Sequence, residues 1–286
     1  MPDLQPPHKI RDMDLTFWNV GRRCATVQLS DEKPTVDLSD VTFITPFALM
    51  YLGMFLRHFN AQGKGFSLRF PQNDSVRDSL AQQRFWERFN FNAEVVATQS
   101  TRWQPTLTSL NDIVDLDRSV PNLAEDLAYR VTQVLAAHTG GLPLVTIEEM
   151  VAELVQNFVD HAGKQFAAFL VQYYPKMQAF SIAIGDCGRG VRASLSALPK
   201  YRHLQTRPHR EAVLTAFQYG ASAKPGAGGA GFSTILDGVE ALEGELRLAT
   251  GQEYVIASKG RRRAGPMGFS LPGVQIELIF QAPRAW

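Results

Sequence analysis

Four side chains able to hold a charged ligand crowd into one stretch, "TIEEMVAELVQNFVDHA": Glu153, Asn157, Asp160 and His161. At 100° per residue they share one side of a helix. They border an apolar stripe of Ile147, Met150, Val151, Leu154, Val155, Phe158 and Ala162. A carboxylate, an amide, a second carboxylate and an imidazole placed this way can converge on one ligand, or can form an ordinary solvated face. The set lacks the paired His or Cys of a zinc helix. Magnesium suits it better, because that ion takes one or two protein oxygens and completes its shell with water and phosphate.

A second candidate is "AIGDCGRGV". Ile182 and Ile184 alternate along a strand, Asp186 stands at its end, and Gly188 and Gly190 come next in a turn where a side chain would collide with a close ligand. A plain Asp-Gly turn is the alternative. A third is "GAGGAGF", Gly226 to Phe232, which spells the dinucleotide pattern G-x-G-x-x-G. That pattern needs a buried strand directly before it. Here "REAVLTAFQYGASAKP" spaces Ala212, Val213, Ala216 and Phe217 as a helix and then breaks into a small-residue loop ending in Pro225. The segment after the glycines is helical, with Phe232, Ile235, Leu236, Val239 and Leu242 on one face, so the glycines open a helix whose free amides can bind an anion.

The elements that must position these residues can be read from the rest of the chain. Its 286 residues are 45% hydrophobic, enough for a sizeable core and more than one domain usually holds. Twenty-nine basic against 28 acidic residues leave a net charge of +1, so no global field recruits nucleic acid or an anionic membrane. The basic run Lys259 to Arg263 reads as a solvated loop. Two cysteines, Cys24 and Cys187, argue against a disulfide framework and suit a reducing, cytoplasmic compartment. The N-terminal "MPDLQPPHKIRDMD" lacks the apolar core of a signal peptide, and "FALMYLGMFL" is too short to span a bilayer and reads as a buried helix.

Residues 15 to 29 and 34 to 38 read as two short strands with a third entering "VDLSDV"; a helix runs from Pro46 to about Asn60, and "FSLRF" is a strand. Residues 76 to 90 read as helical and "AEVVAT" as a further strand, with the domain junction between Gln99 and Val120. Beyond it come two helices, "NLAEDLAYRVTQVLAAH" and "TIEEMVAELVQNFVDHA", then a hairpin of "FAAFLVQYY" and "QAFSIAIGD". The 230s helix and three strands, "ELRLAT", "EYVIAS" and "VQIELIF", complete an α/β domain with helices on one face of a largely antiparallel sheet.

The order of these motifs resembles the GHKL family of ATP-binding domains, shared by gyrase-type topoisomerases, Hsp90 chaperones, histidine kinases and mismatch-repair ATPases. It runs E-x-x-x-N helix, strand-D-x-G-x-G, long connector, G-x-G-F opening a helix, then a terminal strand beginning at Gly273. The match spans roughly Pro121 to the C-terminus, with the domain taken as residues 111–286. The resemblance implies ATP and Mg2+ as cofactors, with Glu153 as general base, Asn157 as magnesium ligand and Asp186 as acceptor of the adenine amino group. Gly188 and Gly190 would admit the base and ribose, and Gly229 and Gly231 would cradle phosphate. His161 and the Gly231-Phe232 pair are most similar to the anti-sigma-factor kinase branch, while Lys224 is either a lid lysine meeting phosphate or a solvated loop residue. Asp160 adds a charge near the magnesium position, and "GVQIEL" lacks the threonine usual after the last glycine.

Residues 1–110 carry a weaker resemblance. "VDLSDVTFITPFALMYLGMFLRHFNAQGKGFSLRFP" looks like a STAS domain, the fold of anti-anti-sigma factors, whose switch turn usually reads Asp-Ser-Ser-Gly and is phosphorylated on serine. Here the turn is Thr45-Pro46-Phe47-Ala48, without that serine. A STAS-like domain followed by a GHKL (Bergerat-type) α/β sandwich leaves two functions open. One is an ATPase or Ser/Thr kinase acting on a regulatory or STAS-type partner. The other is a nucleotide-gated binding module in which ATP orders a lid over 191 to 230. Homodimerisation is open in either case.

Overall fold

The strands "FAAFLVQYY", "QAFSIAIGD" and "VQIELIF" carry apolar residues at both parities, so a sheet built from them must be covered on both faces. The computed structural model describes residues 13–89, 113–117, 119–137, 141–161, 166–218 and 231–281. Its centre is a five-stranded antiparallel sheet of β5 (Ile113–Asp115), β6 (Ala167–Tyr174), β7 (Ala179–Asp186), β8 (Glu245–Ser258) and β9 (Arg261–Gln281). The order across the sheet is β5-β6-β7-β9-β8.

On the front face lie α5 (Leu123–Ala136), α6 (Leu144–His161) and α9 (Gly231–Ala241). Phe169, Val171, Ile182, Ile184, Ile276 and Leu278 point towards them into one core. The stripe expected on α6 is buried from Ile147 to Phe158; Ala162 falls outside the described residues. The connector from 191 to 218, expected within a lid, is folded over its whole length. It forms α7 (Gly190–Ser196), a 3-10 helix (Pro199–Thr206) and α8 (His209–Ala216), anchored in the front core by Val191, Leu204, Val213 and Phe217.

The back face is covered too, by the N-terminal half. Here β1 (Asp14–Leu15) pairs with β3 (Phe43–Ile44), and β2 (Thr35–Asp37) with β4 (Ser67–Arg69), both parallel. With them come α1 (Val20–Ala25), α2 (Pro46–Asn60), α3 (Asp74–Gln82) and α4 (Phe85–Phe89). Helix α2 starts as the sequence suggests, with Thr45 as N-cap accepting from the Ala48 amide at 3.3 Å and Pro46 in the first turn. Every residue from Pro46 to Leu56 is buried, the pattern of a helix enclosed on all sides. It packs on β6, β7 and β9, where Ala168 of β6 and Ala183 and Gly185 of β7 are small enough to let it approach. One core therefore joins α2, α1 and α4 to the sheet, and it contains both Cys24 and Cys187, which are free thiols.

A polar cluster fixes the start of α2 within that apolar layer. Glu277 Oε1 accepts from Ser181 Oγ at 2.7 Å and from the Phe47 amide at 3.3 Å, while Glu277 Oε2 accepts from Arg247 Nη1 at 3.1 Å. Arg247 Nε also donates to Glu245 Oε1 at 2.6 Å. Glu277 is 1% exposed, and burial raises its pKa against the opposing pull of Arg247, Ser181 and Phe47. Its carboxylate also lies at the positive end of α2.

Several sequence expectations are corrected. Residues 20 to 25 form helix α1 rather than part of a strand over 15 to 29. The helix over 76 to 90 is two helices, broken at Arg84, whose φ is 51°. "ELRLAT" and "EYVIAS" are one strand, β8, whose register slips around Gly251; the last strand begins at Arg261, not Gly273. The basic run is therefore the tip of a hairpin, with Arg262 over the Phe217 ring and Arg263 over Trp18. Helices lie on both faces of the sheet, not one. "AEVVAT" falls outside the described residues. No described helix is long and apolar enough to cross a membrane.

Because both halves contribute to the back-face core, urea should unfold the full chain in one cooperative transition, coincident by circular dichroism and tryptophan fluorescence. Two separated transitions would contradict the shared core. Replacing Arg247 by Met should cost about 3–5 kcal/mol, since it strands two carboxylates in that layer; a loss under about 1 kcal/mol would show that the ion cluster is dispensable.

Candidate nucleotide site

Helix α6 presents Glu153 and Asn157 one turn apart, both half-buried, beside its apolar stripe. The first residue of α9 sits directly against them. A methyl group on Gly231 would lie 3.4 Å from Glu153 Oε2, 3.5 Å from Asn157 Oδ1 and 3.6 Å from Asn157 Nδ2. The amino end of an 11-residue helix, with its unpaired amides and positive dipole end, therefore faces this carboxylate and amide. Asn157 Nδ2 is buried and has no hydrogen-bond partner among the described residues. An unspent donor at a helix N-terminus suits an incoming oxyanion.

The arrangement holds because α9 is pressed onto α6. A methyl on Gly238 would come 2.5 Å from Met150 Sδ, so the two helices touch almost backbone to side chain. Phe232 packs on Phe217 of the connector with ring centroids 5.6 Å apart, which anchors the start of α9 to the end of α8. Phe232 is thus a packing residue in this structure.

Asp186 stands two residues beyond Ile184 and so turns to the same, front face of the sheet. It keeps some accessible surface, yet its carboxyl is packed round by protein. Burial pushes its pKa up to about 7, against the backbone amides of Gly188 and Val274, which favour the charged form. The Gly188 amide donates to Oδ1 at 2.6 Å. Strand β9 bends around this carboxylate. Gly273 has φ +82°, and a side chain there would run into the Asp186 carbonyl. The Thr250 hydroxyl donates to the Gly273 carbonyl at 2.9 Å, and the Gln275 amide to the Asp186 carbonyl at 3.0 Å.

The structure adds a reason for glycine at 190 to the one the sequence suggests. Its φ is +74°, and a methyl there would meet Thr250 Oγ1 at 2.8 Å and the Gly273 carbonyl oxygen at 3.1 Å. The tight approach seen here is to protein. Thr250 and Gly273 are partners of this turn that sequence reasoning misses. Their one signal is a Pro-Gly pair, Pro272-Gly273, inside a strand pattern, which marks a bulge.

Asp160 accepts from Gln156 Nε2 at 3.0 Å, one turn back along α6, and His161 closes the helix half-buried. Lys224 and Gly229 lie outside the described residues. Among the described residues no three or more His, Cys, Asp or Glu side chains gather as a metal site. A divalent ion beside Asn157 would draw most of its ligands from phosphate and water, as magnesium does. The orphaned Asn157 amide beside the Glu153 carboxylate and the start of α9 fits such a group.

Compared with protein-family models the chain has no match, and no curated protein matches its sequence.

The Asp186 carboxyl gives a pH signature. Its folded pKa is about 7 against 3.8 for the free group, so its contribution to folding is complete below 3.8 and is lost as pH rises through 7. Stability of the ligand-free protein should fall by about 2–4 kcal/mol over that window. Asp186→Asn should flatten this part of the curve in urea titrations. An unchanged slope would mean that the carboxyl ionises normally in the fold.

Proposed function

We propose that the chain is an ATP-binding regulatory protein of the GHKL type, in which Asp186 takes the adenine amino group and the start of α9 takes the phosphates beside Glu153 and Asn157. The contact of Gly231 with Glu153 and Asn157 carries this reading, because it joins the amino end of a helix, a carboxylate and an unspent amide donor at one point. The order of motifs supports it, as does the enclosed Asp186 at the end of β7 on the same face of the sheet.

In this reading the residues divide the work by their chemistry. Glu153 can orient, and take the proton of, a water or hydroxyl attacking the γ-phosphate. Asn157 offers an oxygen to magnesium and an N–H to a phosphate oxygen, whereas the Glu153 carboxylate has no N–H to donate. Magnesium, when bound, would supply positive charge against the phosphates. The α9 amides provide fixed donors that need no reorganisation. Buried free thiols suit a reducing compartment such as the cytoplasm.

Whether ATP is turned over or only gates a partner depends on the acceptor, and here the N-terminal half favours the gated module. Thr45 is the hydroxyl at the STAS-like switch turn. Its oxygen caps α2, and α2 packs on the face of the sheet opposite α6 and α9. Transfer needs the acceptor within about 3–3.5 Å of the phosphorus, in line. After incubation with magnesium and ATP, mass spectrometry should find no phosphate on Thr45; stoichiometric phosphate there would require the halves to separate.

Calorimetry tests the site itself. Magnesium-dependent ATP binding should weaken tenfold or more in Asp186→Asn, about 1.5–3 kcal/mol for a lost charged hydrogen bond. Adenosine affinity should fall as pH drops below about 7, where the wild-type carboxyl becomes protonated and loses the charge that strengthens its hydrogen bond from the amino group. Glu153→Ala should still bind ATP but lose any turnover, and Asn157→Ala should lose the magnesium-dependent part of binding. ATP affinity untouched by all three changes would overturn the assignment. If the wild type binds ATP well but neither hydrolyses it nor transfers phosphate, the gated module is left.

A further inference from the structure

The residues on either side of Asp186 are held from behind by the N-terminal half. Gly185 faces the back of the sheet, where a methyl group would lie 2.7 Å from Met50 Cγ, 3.0 Å from Met54 Cγ and 3.3 Å from Met50 Sδ. The backbone at 185 is thus in direct contact with two side chains of α2. On the other side, Cys187 is 8% exposed and donates its thiol proton to the Met54 carbonyl at 3.4 Å, with Met54 Sδ 3.7 Å away. Its backbone amide donates to the Phe166 carbonyl at 3.1 Å. Burial pushes the Cys187 pKa up to about 12, so the thiol keeps the proton it donates.

These contacts leave the backbone around Asp186 little freedom. It is clamped between α2 behind, the bulge at Gly273 beside it and the turn of Gly188 and Gly190 ahead. Helix α2 is itself fixed at its start through the Phe47 amide on Glu277. A displacement of α2 along or away from the sheet must therefore move residues 185 and 187, and the carboxyl between them. Thioethers suit such a contact, being flexible enough to fill the irregular space behind a glycine.

We propose that Met50 and Met54 of α2 are positioning residues for the Asp186 carboxyl, so that the N-terminal half acts on the candidate nucleotide site through the back of β7. The functional meaning rests on the reading of Asp186 as the base-binding group; the mechanical coupling does not. It gives the N-terminal half a role that needs no phosphorylated switch turn: whatever shifts α2 changes nucleotide affinity, and nucleotide binding changes the set of α2 by the same factor.

The test uses the full chain. The ionisation of Asp186 is followed by carboxyl NMR without nucleotide, and adenosine affinity by calorimetry, in Met54→Ala, Met54→Leu and Cys187→Ala. Met54→Ala opens space behind residues 185 and 187 and should move the Asp186 midpoint by about half a pH unit or more. It should also weaken adenosine binding about fivefold, as one misdirected hydrogen bond does. Met54→Leu, of similar volume, should restore both. Cys187→Ala removes the thiol anchor with little loss of volume and should shift both readouts in the same direction, which keeps the test open if Met54→Ala does not fold. Lowered thermal stability with an unmoved midpoint and unmoved affinity would overturn the proposal. A shifted midpoint in a protein that never binds adenosine would uphold the positioning role and overturn the base-binding one.

Discussion

The central strands carry apolar side chains on both faces, and a sheet of that kind cannot stand in water until each face is covered. The front is covered by α5, α6 and α9, the elements that also carry Glu153, Asn157 and Gly231. The back is covered by α2, a helix with no polar residue between Pro46 and Leu56 apart from Tyr51, whose hydroxyl donates to the Phe269 carbonyl at 2.9 Å. Neither layer is optional. Full burial of a large apolar side chain is worth about 1.5–3 kcal/mol, and α2 alone buries Phe47, Leu49, Met50, Leu52, Met54, Phe55 and Leu56. The N-terminal half is thus part of what holds β7 and β9 in place.

The amino ends of α2 and α9 both face carboxylates, and the two are satisfied differently. At α2 the partner is Glu277, almost fully buried, with both oxygens engaged by Ser181, Phe47 and Arg247. Nothing is left over there to bind a ligand. At α9 the partners are Glu153 and Asn157, half-buried, with one amide donor unspent. Protein interiors rarely leave such a group unmatched, so an unmatched one at the positive end of a helix is the feature to pursue. Asp186 obeys the same logic: it is enclosed enough to titrate near 7, yet it keeps some accessible surface.

The sequence made the front layer legible because its signals are local. Helical periodicity places α5 and α6, the turn around Pro175 and Lys176 separates β6 from β7, and the apolar face after Gly231 places α9. It also brought out Glu153, Asn157 and Asp186 by type and spacing. The back layer was not legible, because an all-round apolar helix says that it is buried and not against what. Helix α1 is not legible because "VGRRCA" is too short for periodicity to decide; Gly21 is needed there because a side chain would collide with the Met267 carbonyl, a contact far away in sequence. The joining of three expected strands into β8 and β9 depends on bulges at Gly251 and Gly273, which look from sequence like strand ends. Thr250 is not legible for the same reason: only the bulge brings its hydroxyl to Gly273 and Gly190.

Both the proposed nucleotide site and its proposed link to the N-terminal half predict where a ligand would quieten the backbone. Hydrogen–deuterium exchange of the full chain, with and without magnesium and ATP, measures this directly. Slowed exchange is expected at three places that are distant in sequence: residues 186–190, the bulge at 272–275 and the first turn of α9 from Gly231. Slowing should also reach α2 around Met50 and Met54. Exchange unchanged at all of these sites at saturating ATP, or protection confined to some other surface, would contradict a nucleotide site built on Asp186 and the start of α9.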